Sequence, residues 1–533
     1  MKHETGTDTI GEMQLRACQD EQEAAGGQEE DWFMKRECGM LLPVFSIPSR
    51  YGIGAFSREA YEFVDALVRA GQQYWQILPL GPTGYGDSPY QSFSAFAGNP
   101  YFIDLETLTA EGLLTEEECG AVDFGSDAPD IDYEKLYYNR FPLLKTAFAR
   151  WREQQAYLGA DGIRRLLEEA LGAETREYCF YMAVKDEFAG KSWDKWDEDI
   201  RLRREDAVRA YRERLDEEIL FYEFLQYQFG QQWQKLKKYA NDRGIRIIGD
   251  IPIYVAFDGA DSWAHPELFQ FDGDRRPQGV AGCPPDAFSE TGQLWGNPLY
   301  RWEYHRETGY GWWMERMRYS FGLYDVVRVD HFRGFDEYYS IPYGDSTAQY
   351  GHWEKGPGID IFERMREQFG EVDIIAEDLG FLTPSVLELV AASGFPGMKV
   401  LEFAFDDTQD SAYLPHKYEE NCVVYTGTHD NNTLQGWYQA MNPSDKEFSV
   451  GYVGNAWTPQ GEVHWDFIRL ALASKARLAI IPVQDYLGLG EWARINEPST
   501  LGKNWRWRMS AQDLDEELTG RCRQLAKWYG RTG

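Results

Sequence analysis

Short apolar runs recur along the chain, and eight of them have the character of strands covered on both faces. Most hold four to seven mainly apolar residues between Gly, Pro or polar residues, which is typical of buried parallel strands. The runs are Gly39–Phe45, Tyr74–Leu80, Ile245–Val255, Val326–Phe332, Asp373–Leu379, Gly397–Phe405, Cys422–Asp430 and Leu478–Leu487. Amphipathic helical stretches such as Ser57–Gly71 separate several of them. This order predicts an α/β chain folded as a (β/α)8 TIM barrel.

Two stretches are too long to be simple connections in such a barrel. About 165 residues separate the second and third runs, far more than the dozen or so that a crossover needs. We expect a large insertion after strand 2, with a helical subdomain at about 108–243 and one charged helix over 201–238. A second insertion after strand 3, at about 257–300, is rich in Gly, Pro, Asp and aromatic residues, which predicts a lid-like loop with little regular structure. Residues 1–33 are acidic and polar, so a disordered extension is expected to precede the catalytic barrel at 34–533.

Composition narrows the possible partners. With 54 Lys and Arg against 88 Asp and Glu, the formal charge of −34 argues against nucleic acid and anionic membranes. The 19 Trp and 33 Tyr offer flat apolar faces of the kind on which sugar rings stack. Seven scattered cysteines without a CxxC pair indicate neither a disulfide framework nor a zinc site. Since no signal peptide and no run of 18 apolar residues is found, we expect a cytoplasmic protein.

Charged side chains stand where several of the predicted strands end. Arg328, Asp330 and His331 close the fourth run, and Glu377 and Asp430 close the fifth and seventh. The carboxyl ends of barrel strands meet at one rim, so three carboxylates are expected to converge there. Any one of them alone could be an ordinary ion-pair partner at a strand end. Their convergence favours a functional site.

Converging carboxylates fit two chemistries, glycosyl transfer and a hard-metal site with oxygen ligands. Arg328 precedes Asp330 by two residues and shares its strand face, so we expect it to keep Asp330 ionised with a low pKa, as a nucleophile requires. Glu377, among other carboxylates in a water-poor pocket, should have a raised pKa and serve as an acid. With the aromatic content, this favours sugar chemistry without a metal. No glycine-rich phosphate or dinucleotide motif is present, so no cofactor is inferred.

Longer motifs allow a comparison with a known family. They are Trp75–Ser92, Gly249–Ala256, Leu294–Pro298, Arg328–Gly334, Ala376–Gly380 and Thr428–Asn431. In this order they resemble the 4-α-glucanotransferases (amylomaltase, or plant-type disproportionating enzyme) of glycoside hydrolase family 77, in the α-amylase clan. The resemblance runs from about Gly39 to Trp507. It implies a retaining enzyme that moves a segment of a 1,4-α-D-glucan to the 4-hydroxyl of another glucan or glucose through a covalent glucosyl-enzyme intermediate.

The resemblance also implies roles for the rim residues. Asp330 would be the nucleophile, and Glu377 would protonate the leaving glucan and then deprotonate the acceptor. Asp430 would bind the 2- and 3-hydroxyls of the donor sugar, with His429 and Arg328 beside it. These assignments are specific to the motif positions that match.

Further positions would bind substrate. Tyr90 would stack on the donor sugar, while Asp250 and Asn297 would hold hydroxyl groups. Trp295 and Phe288 match a flexible loop over the acceptor side. The remaining substrate-binding candidates are Ser88, His331 and Tyr85, the last in a secondary glucan groove.

Several alternatives to a transferase stay open at this point. An α-amylase-like retaining hydrolase shares the first half of the reaction and is the runner-up. A silent glucan-binding protein and a metal-dependent barrel hydrolase are the other two. Transfer needs a sugar acceptor that outcompetes water at about 55 M, and the aromatic residues of 257–300 can cover such a site. Expected partners are maltooligosaccharides, amylose or other 1,4-α-glucans, for a chain that is a monomer or a dimer.

Overall fold

Eight strands of the computed structural model close into a parallel barrel, which confirms the predicted (β/α)8 TIM-barrel fold. The structure describes residues 35–84, 86–125, 129–285, 289–380, 382–406 and 409–532. The strands are β1 (Glu37–Leu41), β2 (Tyr74–Gln76), β3 (Arg246–Pro252), β4 (Gly279–Cys283), β5 (Gln293–Pro298), β6 (Val326–Asp330), β7 (Glu337–Pro342), β8 (His352–Lys355), β9 (Ile374–Ala376), β10 (Gly397–Val400), β11 (Cys422–Tyr425) and β12 (Leu478–Pro482). Around the barrel the order is β1-β12-β11-β10-β9-β6-β3-β2, and pairing of β1 with β2 closes it.

Each of the eight predicted runs overlaps one strand of the barrel, but most strands are shorter than predicted. The run predicted as Cys422–Asp430 pairs only as far as Tyr425, and β9 ends at Ala376. The difference lies in the polar residues at the end of each run. Many of these residues leave the ladder and form loops at the rim, because a buried polar group costs free energy unless it is paired. Asp250, Arg328 and Asp330 stay in the ladder, where Arg328 contacts both carboxylates.

Helices cover the outside of the barrel and build the first insertion. The α-helices are Arg58–Arg69, Leu105–Ala110, Glu116–Gly120, Tyr133–Gln154, Gly159–Ala170, Ala173–Glu187, Glu198–Arg201, Glu205–Arg214, Asp216–Asn241, Ala260–Ala264, Trp302–Glu307, Gly311–Leu323, Asp360–Phe369, Pro384–Ser393, Leu434–Ala440, Pro443–Val453, Val463–Ala473, Val483–Tyr486 and Glu516–Trp528. The short 3₁₀ helices are Val44–Ser46, Pro100–Phe102, Ala156–Leu158, Trp193–Lys195, Pro266–Leu268, Phe332–Phe335, Leu401–Phe403, Pro415–Lys417, Gln460–Glu462 and Glu491–Ala493. None of the helices in the described ranges has both the length and the apolar composition that a bilayer crossing requires.

The interior of the barrel is a small core of its own, filled by alternate residues of the strands. Its members are Leu41, Tyr74, Ile248, Val326, Ile375, Met398, Val400, Val423, Tyr425, Leu478 and Ile480. Val327 and Val329 instead join the larger core between strands and helices. Because side chains alternate along a strand, Arg328 and Asp330 share the inner face with Val326. Strand β6 thus directs two charged groups into the barrel at its carboxyl end.

The charged stretch 201–238 is not the single helix that the sequence predicts. It forms two main helices, Glu205–Arg214 and Asp216–Asn241, which meet at Leu215. Leu215 is buried, and acidic residues directly after it occupy the first turn of the second helix, where the helix dipole favours negative charge. The second helix reaches the barrel layer, since Trp233 Nε1 donates to the carbonyl of Leu323 at 3.0 Å.

The first insertion also supports a loop at the mouth of the barrel. Lys185 Nζ lies 2.6 Å from Asp258 Oδ2, in the loop after β3, and its side chain is only 7% exposed. Tyr181 donates to the other carboxylate oxygen at 2.6 Å. Because loss of Asp258 would leave the buried Lys185 ammonium without its charged partner, this contact ties the helical insertion to the rim.

The segment 257–300 has more regular structure than the sequence predicts. Strands β4 and β5 lie within it and form a sheet of order β5-β4-β7-β8 with two strands that follow β6. A small core of Val280, Tyr339, Ile341 and Ala348 holds this sheet together. The prediction of a loop with little regular structure is therefore wrong. Strand β4 pairs with the nearby β5 and also with β7, which follows β4 by more than 50 residues. The domain boundaries at 34, 108 and 243 stay predictions, and residues 1–33 lie outside the described residues.

Candidate active site

A buried ion pair occupies the inner face of the barrel. Arg328 and Asp250 are opposite each other in the register of β6 and β3, and they are 3% and 0% exposed. Arg328 Nη1 lies 2.6 and 2.8 Å from the two oxygens of Asp250. The same nitrogen reaches Asp330 Oδ1 at 3.1 Å. A desolvated guanidinium between two carboxylates is costly for the fold and fits a functional site.

The pKa of Asp330 differs from the sequence prediction. The contact with Arg328 is present, but the pKa of Asp330 is raised to about 6 and not lowered. Burial is the largest cause, and Arg328 offsets only part of it. Asp250 and Asp430 add negative charge that raises the pKa further. The expectation of a low pKa is wrong because burial outweighs the effect of Arg328, whose closest contacts are with Asp250.

Glu377 follows β9 and lies between two backbone donors. The His331 N–H donates to Oε2 at 2.7 Å, and the Leu379 N–H donates to Oε1 at 2.9 Å. Burial and then the charge of Asp330 raise the pKa of Glu377 to about 7, as predicted. Asp330 and Glu377 together therefore hold a proton at a pH where ordinary carboxyl groups are ionised.

An unusual backbone conformation brings His331 into contact with Glu377. His331 has φ 55, in the left-handed region that residues other than glycine rarely adopt. Its ring lies edge-on to Trp295, with centroids 4.8 Å apart. Burial and the nearby Arg333 lower the pKa of His331 to about 3, so the ring is neutral. The turn at His331 thus joins the acid Glu377 to an aromatic wall.

Asp430 lies across the mouth of the barrel, in the loop after β11. Asn496 Nδ2 donates to Asp430 Oδ1 at 2.6 Å, and His429 Nε2 lies 3.4 Å from Oδ2. Partial burial alone would raise the pKa of Asp430, but His429, Asn496 and more distantly Arg328 hold it well below its usual value. The side chain is 43% exposed, so an ionised carboxylate faces the cleft.

Tyr90 connects the two sides of the mouth. Its hydroxyl donates to Asp250 Oδ2 at 2.8 Å, and its ring stacks on His429 with centroids 5.1 Å apart and planes at 17°. Ser88 Oγ accepts from the Tyr90 N–H at 3.3 Å, so Ser88 shapes the turn that presents Tyr90. Asn297 accepts from Gln91 Nε2 at 3.2 Å, next to Tyr90 in the chain.

The structure therefore brings most of the predicted site residues to one mouth. They are Ser88, Tyr90, Asp250, Trp295, Asn297, Arg328, Asp330, His331, Glu377, His429 and Asp430. Tyr85 and Phe288, the other two predicted site residues, lie outside the described residues. Within the described ranges, no three His, Cys, Asp or Glu side chains are grouped as ligands for a metal ion. The absence of a metal requirement stays a prediction.

Sequence reasoning missed three residues around Asp430. Arg494 Nη2 donates to the Asp430 carbonyl at 2.7 Å, and Asn496 contacts its carboxylate. The ring centroid of Trp505 lies 5.8 Å from that of Tyr90 and 6.0 Å from that of His429. The available signal was weak, because these residues follow β12 by a dozen positions or more and belong to no strand end.

Comparison with known proteins agrees with this geometry. The sequence model of the 4-alpha-glucanotransferase family, glycoside hydrolase family 77, matches residues 42–514. The 4-alpha-glucanotransferase of Streptococcus pneumoniae serotype 4 (strain ATCC BAA-334 / TIGR4) is 50% identical over 499 residues, which is 93% of this chain and 98% of the relative. The enzyme of the same name from Thermus thermophilus is 46% identical over 500 residues, covering 93% of this chain and 99% of the relative.

A solved structure is also closely similar. The amylomaltase from Streptococcus agalactiae in complex with acarbose superposes with a TM-score of 0.89 at 40% identity, covering 94% of this chain and all of that one. The family match spans most of the chain, and the relatives are similar over almost their full length. The chain belongs to the 4-alpha-glucanotransferase family, glycoside hydrolase family 77.

Proposed function

We propose that this barrel mouth transfers a segment of a 1,4-α-glucan to the 4-hydroxyl of a second glucan or of glucose, with retention at the anomeric carbon. The observation that carries the proposal is the placement of two carboxyls on neighbouring strands: Asp330 at the end of β6, 3.1 Å from Arg328, and Glu377 directly after β9, held by two backbone N–H donors. Burial raises the pKa of both groups, so the pair holds a proton near neutral pH, and we place that proton on Glu377 and the negative charge on Asp330 beside Arg328. A double displacement begins from this state.

The first half-reaction cleaves the donor glucan. The Asp330 carboxylate attacks the anomeric carbon, and the bond from that carbon to the leaving 4-oxygen breaks. Glu377 gives its proton to this oxygen, so the leaving glucan departs as a neutral alcohol. Arg328, 3.1 Å from Asp330, orients the attacking carboxylate towards the centre of the barrel. The products are a glucosyl ester on Asp330 and a free glucan with a new 4-hydroxyl.

The second half-reaction returns the enzyme to its starting state. Glu377, now a carboxylate with two backbone N–H donors, takes the proton of the acceptor 4-hydroxyl. The acceptor oxygen attacks the anomeric carbon, and the ester bond to Asp330 breaks. Two inversions give net retention, and neither step needs a metal or an organic cofactor.

Asp430 is proposed to bind the 2- and 3-hydroxyls of the donor sugar. Such hydrogen bonds strengthen as the ring distorts towards the transition state, and an ionised acceptor makes them strong. The low pKa of Asp430 supports this role, since the group stays charged throughout the working range. His429 and Tyr90, stacked on each other beside it, are proposed to line the same donor subsite.

The other polar candidates are proposed to orient the donor. Asp250 is bound by both Arg328 and Tyr90, so its effect on the sugar is shared with theirs. Asn297 is proposed to bind a hydroxyl group directly, with Ser88 as a further donor-side contact. Tyr85 remains a proposal for a secondary groove.

The acceptor side is proposed to exclude water. Trp295 and His331 form an aromatic corner next to Glu377, and Phe288 is proposed to extend it. A bound sugar acceptor in an apolar corner reacts in preference to water, because the enzyme has already fixed its position. This supports maltooligosaccharides, amylose and other 1,4-α-glucans as both donors and acceptors. An α-amylase-like hydrolase is the less favoured alternative, given the family.

The product profile on maltotriose tests the proposal. Glucose and a ladder of longer maltooligosaccharides should appear together, while the total number of reducing ends stays constant. Protein with Asp330→Asn, incubated in parallel, controls for contaminating enzymes and should give no products. Reducing power that rises in step with product formation would identify a hydrolase and contradict transfer.

The net charge of the chain bears on its partners in the cell. The strong negative charge supports a neutral substrate and argues against nucleic acid and anionic membranes as partners. A cytoplasmic location remains a prediction from the cysteine content and the composition.

A further inference from the structure

The loop that carries Asp430 has both of its ends bound to one buried carboxyl group. The Thr426 hydroxyl, directly after β11, donates to Asp485 Oδ2 at 2.6 Å. The Leu434 N–H, at the start of the next helix, donates to Asp485 Oδ1 at 2.8 Å. Asp485 is 1% exposed and lies in the short helix after β12. One side chain therefore sets the separation between the two ends of the 426–434 loop.

The loop between these ends is braced internally. Asn431 Oδ1 accepts from both the N–H and the hydroxyl of Thr428, at 2.9 and 2.8 Å. The Asp430 N–H donates to Thr428 Oγ1 at 3.3 Å. A loop held together in this way moves as a unit, so the position of its ends determines where the Asp430 carboxylate points.

Packing beneath the loop restricts its movement further. A Cβ atom at Gly427 would lie 3.0 Å from Glu402 Oε1, so the loop backbone packs closely against the Glu402 side chain at this point. The Glu402 N–H donates to the carbonyl of Thr426 at 3.2 Å. The loop therefore contacts the 3₁₀ helix that follows β10 and is held by Asp485 in the helix that follows β12.

From this geometry we propose that Asp485 is a positioning residue for the transfer reaction, holding the 426–434 loop so that Asp430 meets the hydroxyls of the donor sugar. Asp485 itself does not face the cleft. The inference rests on the proposed function, because Asp485 acts only through Asp430. If Asp485 only stabilised the fold, its loss would lower stability and leave kcat unchanged. A positioning role predicts a lower kcat, and one that depends on the presence of Asp430.

The side chain at position 485 must accept a hydrogen bond from the Leu434 N–H and offer a polar partner to the Thr426 hydroxyl. Neither bond requires a negative charge. Burial raises the pKa of Asp485 to about 7, so both protonation states occur near neutral pH. The protonated acid can donate to Thr426 Oγ1 while its carbonyl oxygen still accepts from the Leu434 N–H. An asparagine side chain offers the same pair of groups.

Removing the side chain leaves the Thr426 hydroxyl and the Leu434 N–H without partners in a dry environment. The loop ends should then separate or rotate, and a displacement of about 1 Å at a reacting group can cost on the order of 100-fold in rate. Because the bonds from Asp430 to the sugar strengthen in the transition state, the loss should fall on kcat and not on KM.

The primary test is Asp485→Ala with Asp104→Ala as its matched control. Asp104 is also buried, at 5% exposed, and Oδ2 likewise accepts from one N–H and one hydroxyl, both of Thr107 at 2.8 Å. Asp104 caps a helix in the first insertion. The variant Asp104→Ala should therefore lower the thermal stability without changing kcat. For Asp485→Ala we expect kcat on maltotriose to fall by about tenfold or more, with KM within about twofold.

Two conservative variants separate position from charge. Asp485→Asn keeps both hydrogen bonds and should stay within about threefold of the parent kcat. Thr426→Val removes one bond at nearly constant volume and should lower kcat by about threefold or more. If Asp485→Ala does not fold, Thr426→Val decides, and an unchanged kcat there would overturn the proposal.

A double-variant cycle with Asp430→Asn completes the test. In that background Asp485→Ala should cost little further activity, because the group that it positions is already impaired. A full additive loss, or a normal kcat in Asp485→Ala alone, would overturn the positioning role. Both outcomes leave the proposed function intact, since that depends on constant reducing ends during turnover of the parent enzyme.

Discussion

Each of the two aspartates at the barrel mouth has a histidine next to it in the chain, but the pKa values of the two aspartates are shifted in opposite directions. Asp330 precedes His331, and Asp430 follows His429. The pKa of Asp330 is raised to about 6, whereas that of Asp430 is held well below its usual value. The neighbouring histidines also differ: the pKa of His331 is lowered and that of His429 is raised. The charged forms are therefore disfavoured at Asp330 and His331 and favoured at His429 and Asp430.

The cause of the difference is what each pair faces. Asp330 is near two other carboxylates, and the arginine beside it has its closest contacts with Asp250. Its neighbour His331 points away, towards Trp295 and the charge of Arg333. Asp430 instead has a histidine at 3.4 Å and an amide donor at 2.6 Å.

This contrast separates two tasks that look alike in the sequence. A nucleophile must form an ester and release it again, and a pKa near the working pH suits both attack and departure. A group that binds hydroxyls benefits from being charged at all times. The neighbours of each aspartate, and not the aspartate itself, assign the task.

The largest expected effect comes from exchanging each carboxylate for an amide. Asp330→Asn removes the nucleophile, so turnover of maltotriose should fall by about 10⁴-fold or more. Asp430→Asn retains a hydrogen-bonding group of the same size and should lose less, about 10²-fold to 10³-fold in kcat. Initial rates of glucose release measure both. Equal losses in the two variants would break the proposed division of roles.

The sequence predicted the barrel and the convergence of the three carboxylates because both follow from local pattern. Buried strands are apolar, and polar residues such as Glu377 and Asp430 stand out where each strand ends. It did not predict the sheet formed by β4. The pairing with the nearby β5 was missed because the segment is rich in Gly, Pro and Asp, and the pairing with β7, more than 50 residues later, forms only in the folded chain.

The pKa of Asp330 was mispredicted for a related reason. Spacing showed that Arg328 shares a strand face with Asp330, and the contact at 3.1 Å confirms this. Spacing could not show that Asp250, on a neighbouring strand, takes the shorter contacts of the same nitrogen. Electrostatics at a rim depends on all strands at once, whereas a motif reports on only one.

The pH dependence of the parent enzyme tests the electrostatic side of the contrast. Activity needs Asp330 ionised and Glu377 protonated, so kcat/KM should be greatest between about pH 6 and pH 7. Below this range the pair of carboxyls takes up a second proton, and above it the pair loses its last one. On each side kcat/KM should fall about tenfold per pH unit.

Asp430 should not appear in this profile, because its pKa lies far below the range. Initial rates on maltotriose at low substrate concentration, in buffers of constant ionic strength, give the profile. The two apparent values belong to the coupled pair Asp330 and Glu377 and not to either group alone. If the acid limb is unchanged in Glu377→Gln and disappears in Asp430→Asn, then Asp430 and not the Asp330–Glu377 pair titrates in this range. That outcome would contradict the contrast.

The smallest expected effect concerns the two histidines and requires no change in rate. In ¹⁵N-histidine spectra, His331 should remain neutral from pH 5 to pH 8, because burial and Arg333 lower its pKa to about 3. The pKa of His429 is raised by Asp430, which outweighs the effect of burial. Asp430→Asn should therefore lower the pKa of His429.

Asp330→Asn provides the matched control, since Asp330 is not among the groups that shift the pKa of His331. His331→Gln and His429→Gln assign the two signals. If the contrast holds, Asp430→Asn changes the titration of His429, and Asp330→Asn leaves that of His331 unchanged. A His331 signal that titrates near pH 6.5 would mean that its ring is solvated, and the aromatic corner next to Glu377 would then not be dry enough to favour a sugar acceptor over water.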